Sequence, residues 1–243
     1  PWIKLSCAPI GKHADLPRQS SYGWNAHDAV YQEAQEWLRL GLMDALFPMM
    51  YFDGKHFYPF AVDWQENCYG RPVVPGLGIY FLNRQQRDWD LQVIQRQMNV
   101  VRDLGMGGQA FFRAKFLLDN EKGLYDWLKA DFYSHPSTTP PLTWRDSVAP
   151  AEPKADVVRE GYTLRFAWSE EADATPIYYN VYRIDSVGAA PRLIYQKLHA
   201  TSCSYTPPMP SLLYSQYAVT AVDAYGNESA FTPIAIAETE VKS

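Results

Sequence analysis

The 243-residue sequence predicts an α/β unit built on a parallel sheet, followed by an all-β sandwich. Three observations carry this. Nearly continuous apolar runs at 2–8, 43–52, 73–82 and 108–112 alternate with helical or mixed segments, the pattern of strands buried on both faces. A stretch rich in Pro, Ser and Thr at 134–153 reads as a linker. Beyond it, short segments of alternating apolar and polar residues recur about every ten residues, as in a sandwich.

Residues 2–8 (Trp-Ile-Lys-Leu-Ser-Cys-Ala) form the first strand, which Pro9 and Gly11 end. A polar loop follows with His13, Asp15, Arg18, Tyr22 and Trp24. Asp28 opens a helix to about Leu40, with Val30, Ala34, Trp37, Leu38 and Gly41 on one face. The second strand is 43–52, and the aromatic connection 53–71 holds a short helix near 59–67. The third strand, 73–82, contains Pro75, Gly76 and Gly78, tolerable where the backbone bends or a neighbour packs close. Asp88 caps a helix carrying Leu91, Ile94, Met98, Val101 and Leu104, and Gly105 ends it. The fourth strand is 108–112. Asp119 or Asn120 then opens a third helix with Leu124, Trp127, Leu128 and Phe132 apolar. Sandwich strands follow at 162–168, 178–184, 192–196, 202–205, 217–223 and 233–237. No cysteine pair joins them, so the sandwich is of fibronectin rather than antibody type.

Composition narrows the function classes. Hydrophobic residues make up 47%, enough for a sizeable core, and the net charge of -5 leaves no basic stripe for nucleic acid. Aromatics reach 15%, which fits stacking surfaces for sugars and equally a Tyr-rich β core. Cys7, Cys68 and Cys203 are too few and too far apart for a disulfide framework or a zinc ribbon. No metal or cofactor motif is present, and no apolar run is long enough to span a membrane.

The segment 217–229, Tyr-Ala-Val-Thr-Ala-Val-Asp-Ala-Tyr-Gly-Asn-Glu-Ser, resembles the penultimate strand and turn of fibronectin type III domains appended to bacterial carbohydrate-active enzymes. By that resemblance Trp168 is the core tryptophan and Tyr217 the corner tyrosine. The blocks 1–11, 37–51 (ending Met-Asp-Ala-Leu-Phe-Pro-Met-Met-Tyr) and 74–80 (Val-Pro-Gly-Leu-Gly-Ile-Tyr) are similar to a glycoside-hydrolase-like family, the glycosyl-hydrolase-like group ten. That family has a (β/α)8 barrel. The resemblance implies that residues 1–146 are the C-terminal half of such a barrel, strands five to eight, and 147–243 a fibronectin type III-like domain. It implies a carbohydrate substrate and an extracytoplasmic location. The family's Asp-Asp-Tyr cluster after strand four has no counterpart here, so the main catalytic carboxylates are expected upstream of Pro1.

Ligands of parallel sheets bind beyond the carboxyl ends of the strands. Tyr51, Tyr80 and Phe112 close three consecutive runs and either stack on sugar faces or plug the end of the sheet. Glycoside hydrolysis uses two carboxyl groups. Asp53, nearest a strand end, and Asp63, beside Trp64 as a candidate aromatic platform for the sugar, are the candidates here, each acid also explicable as a turn or capping residue. His13 is a candidate for hydrogen bonds to sugar hydroxyls, and Arg113 for an anionic substituent or a structural ion pair. The leading reading is a fragment of a glycoside hydrolase, inactive alone. Its competitors are a non-catalytic carbohydrate-binding or cell-surface module and a structural spacer. Four strands leave two raw edges, which predicts either a homodimer or an N-terminal half-barrel completing the sheet.

Overall fold

A computed structural model describes residues 3–19, 23–169, 177–186 and 189–238; Trp2 and Tyr22 lie outside the described residues. The chain divides into two compact units, Ile3–Phe132 and from Tyr133 onward.

The first unit runs β1 (Ser6–Cys7), α1 (Ala26–Val30), α2 (Ala34–Arg39), β2 (Ala45–Leu46), β3 (Met49–Met50), α3 (Tyr58–Glu66), β4 (Gly76–Leu77), α4 (Leu91–Asp103), β5 (Ala110–Phe111), α5 (Ala114–Leu118) and α6 (Leu124–Trp127). Among the described residues these strands pair in parallel and the runs they lie in follow chain order. Ser6 and Cys7 face Ala45 and Leu46, Met49 and Met50 face Gly76 and Leu77, and those face Ala110 and Phe111. Bridges from Ile10 to Met49 and from Leu46 to Val73 join the pieces into one succession. The core between sheet and helices holds Leu38, Leu46, Met50, Phe57, Phe60, Trp64, Leu77, Ile94, Met98 and Val101.

Regular strand is shorter than the apolar runs predict. Pro9, Pro48, Pro72 and Pro75 lack the amide donor that a ladder needs, so pairing is interrupted around them. The third run leaves the sheet after Leu77 and becomes a 3-10 turn, Ile79–Leu82. The expected helix from Asp28 to Leu40 is two helices. Asn25 caps the first, its side chain accepting from the Asp28 amide at 2.7 Å, and Tyr31 ends it at φ 56°. Asp90, not Asp88, caps α4, because Asp90 is extended while Asp88 has φ 51° and pairs with Lys122 at 2.6 Å. The third helix begins earlier than Asp119, at Ala114, and is broken by a 3-10 turn at Glu121–Gly123.

The second unit holds β6 (Ala155–Glu160), β7 (Thr163–Trp168), β8 (Tyr178–Ile184), β9 (Arg192–Leu198), β10 (Ser202–Tyr205), β11 (Gln216–Val222) and β12 (Ile236–Glu238). One sheet has the order β10-β7-β6-β12 and the other β11-β8-β9. Strand β6 was not expected: adjacent Val157 and Val158 blur its alternation. Trp168 packs at 5.5 Å from Tyr179 in the core, and the buried Tyr217 donates its hydroxyl to the Leu212 carbonyl at 2.6 Å. The stretch read as a linker is partly built into this unit. Leu142 is buried and its amide donates to the Tyr225 carbonyl at 2.7 Å, while Asn227 donates to the Asp146 carbonyl at 3.0 Å.

Candidate functional site

Tyr51, Tyr80 and Phe112 follow β3, β4 and β5 and form one aromatic cluster. Tyr51 stacks on Phe112 at 5.1 Å and 22°, and Tyr80 stands edge-on to both, at 6.0 and 5.8 Å. The glycines of the third run permit it. A Cβ on Gly78 would lie 3.1 Å from the Cβ of Tyr51, and one on Gly76 3.3 Å from its ring. The Tyr80 amide donates to the Phe112 carbonyl at 3.3 Å, which ties the turn to the last strand. Burial raises the pKa of both phenols, so they stay protonated donors at neutral pH. Phe112 keeps 47% of its surface in solvent.

The remaining candidates are dispersed. Asp53 is exposed at the head of the 3-10 turn Gly54–His56, and its carboxylate makes no hydrogen bond among the described residues. Asp63 lies on α3, where its oxygens accept from Gln35 at 2.8 Å and Asn67 at 3.3 Å; burial raises its pKa and the Gln35 bond opposes this. Trp64 is a correction: the ring is fully buried and its indole N–H donates to the Gly11 carbonyl at 2.7 Å, so no face is open to a sugar. A short helix has room for only one inward face, and Trp64 occupies it. His13 packs edge-on against Trp64 at 5.7 Å and His27 at 5.8 Å, and burial followed by the charge of His27 lowers its pKa. Its ring therefore belongs to the packing around Trp64. Arg113 is exposed, with its guanidinium 5.8 Å from the Phe116 ring.

Two residues escaped the sequence reading. Gln97 is fully buried on α4 and donates to the Phe52 carbonyl at 2.7 Å, anchoring the residue that follows Tyr51. Its signal was a lone amide on the apolar face of Ile94, Met98 and Val101. Arg87 lies 4.1 Å from the Phe81 ring, a tertiary contact with no sequence signature. Among the described residues no group of His, Cys, Asp and Glu is arranged to hold a metal, and no helix is long and apolar enough to cross a membrane.

No family model matches the chain. The chain is 28% identical over 250 residues to a protein of Bacillus subtilis (strain 168) named Glycosyl hydrolase YngK, an alignment covering 94% of this chain and 49% of that protein. It thus spans about half the length of this curated relative. Among solved structures it is similar to an Fn3-like protein from Clostridium thermocellum, with TM-score 0.33 and 22% identity over 40% of this chain and 100% of that one. A bacterial orthologue of human α-L-iduronidase gives TM-score 0.29 and 20% identity over 41% of this chain and 16% of that one. Likenesses this low carry no functional argument. At 28% identity the chain is similar in sequence to about half of a protein named as a glycosyl hydrolase.

Proposed function

We propose that the chain is part of a glycoside hydrolase acting on an oligo- or polysaccharide, and that it supplies one wall of the substrate site. In this reading the first unit is the C-terminal half of a (β/α)8 barrel, the second a fibronectin type III-like domain, and the location extracytoplasmic. The observation that carries it is the cluster of Tyr51, Tyr80 and Phe112 beyond the ends of three neighbouring parallel strands. Aromatic faces pack on the C–H faces of sugar rings while phenols bond their edges. The similarity to a named glycosyl hydrolase supports the same substrate class.

The catalytic carboxylates lie elsewhere in the whole protein. Asp63 is held by Gln35 and Asn67, which leaves Asp53 without a partner acid in this set. That arrangement also favours the second reading, a carbohydrate-binding module without turnover. Titration of the chain with neutral oligosaccharides tests the wall: Tyr51→Ala and Tyr80→Ala should each weaken binding by about ten-fold. Reducing-end release should be absent. Turnover abolished by Asp53→Asn would move the catalytic acid into this chain and overturn that part of the proposal.

A further inference from the structure

This inference rests on the saccharide reading and narrows its substrate class. Two guanidinium groups each lie by a ring that neighbours Tyr80. That of Arg87 lies over Phe81, whose ring is 4.0 Å from Tyr80, and that of Arg113 lies by Phe116, whose ring is 6.4 Å from Tyr80. Both side chains are exposed, and among the described residues neither makes an ion pair. Of the acids close to them in sequence, Asp88 pairs with Lys122, Asp119 with Lys115, and Glu121 accepts from the Asn83 amide at 2.6 Å. Two cations thus lie among the rings around Tyr80, and among the described residues neither is paired with a carboxylate.

Guanidinium is a planar fork of donors that matches carboxylate and other oxyanions in pairs, and it gives up its hydration more readily than an ammonium. Resting on an aromatic ring holds it in place, so less freedom is lost when an anion arrives. The whole chain carries a net charge of -5, which gives anions no general attraction to it. A preference for acidic ligands therefore requires a local site.

We propose that the Tyr51–Tyr80–Phe112 end of the sheet takes a saccharide bearing an oxyanion, a uronic acid foremost, with the sugar face on the rings and the anion on Arg87 and Arg113. The test is an array of immobilised oligosaccharides in matched forms, probed with the full chain at physiological ionic strength. It contains oligogalacturonates, their methyl esters, sulfated counterparts and neutral cello-oligosaccharides. Acidic members should be retained about ten-fold more strongly than their neutral forms. Arg87→Gln and Arg113→Gln, each with an unchanged thermal melt, should bring acidic binding down toward the neutral level. The carboxylated and sulfated arms distinguish which oxyanion is read. Equal retention of acidic and neutral members, indifferent to both substitutions, would overturn this inference and leave the saccharide reading intact. No retention of any member would overturn both.

Discussion

Tyr217 carries one hydrogen bond whose loss can be isolated. Phenylalanine would keep the buried ring and leave the Leu212 carbonyl without its donor. Tyr217→Phe should cost about 1–2 kcal/mol, read as a lower urea midpoint for the sandwich with the slope unchanged. Cys203 offers a pH-dependent readout. Burial pushes its thiol up to about 11 from the ordinary 9.0. In the unfolded chain that thiol ionises first, so the stability it contributes is full below about pH 9 and is lost between there and about pH 11. At pH 8 iodoacetamide should leave Cys203 unlabelled in the native protein and label it once the sandwich unfolds, as intact-mass and peptide analysis would show. The clustering of Tyr51, Tyr80 and Phe112 was legible at this scale, because residues that close neighbouring parallel runs come out at the same end of the sheet. The fate of Trp64 was not, since an Asp-Trp pair does not say which face of a short helix is turned inward.

The elements were legible as apolar runs and less so as secondary structure. All four runs lie in one parallel succession, but only the second and third are largely buried, whereas residues 3–6 of the first and Phe112 of the fourth are exposed. Their ladders are two residues long because proline removes donors within or beside three of them. Helix ends were harder. Asp88 and Asp90 are equal as capping residue types, and only the backbone conformation and the Lys122 contact separate them. Likewise nothing local marks Tyr31 as the break between α1 and α2. At φ 56° and 85% exposure Tyr31 holds a left-handed conformation with little packing in return. Tyr31→Gly should therefore raise stability by about 1 kcal/mol despite the added freedom of the unfolded chain, measurable as a higher urea midpoint. Asp90→Ala should lower it by about 1 kcal/mol through loss of the cap on the Gln92 amide.

At the scale of the whole molecule, two separate cores predict two separable folding units. Residues 133–243 expressed alone should unfold cooperatively in urea, with Leu142 and its bond to the Tyr225 carbonyl included. A boundary drawn after residue 146 would remove that strap and should destabilise the fragment. The first unit is less self-sufficient. Among the described residues β1 and β5 each pair on one side only, and Ile3 beside β1 is 80% exposed. Such edges favour strand addition, so light scattering at micromolar concentration should give a mass above the monomer. A stable monomer mass would exclude edge pairing. The succession of the parallel strands has one more consequence, which concerns synthesis. Each run pairs with the run made just before it, so the order in space is the order of release from the ribosome. A nascent chain extends the sheet by one strand at a time and never inserts a late strand between two earlier ones. The paired stretches of the four successive runs begin at residues 6, 45, 76 and 110. At about 5–20 residues per second each growing edge waits a few seconds for its partner, and that interval, renewed with every strand, is when a chaperone has its opening.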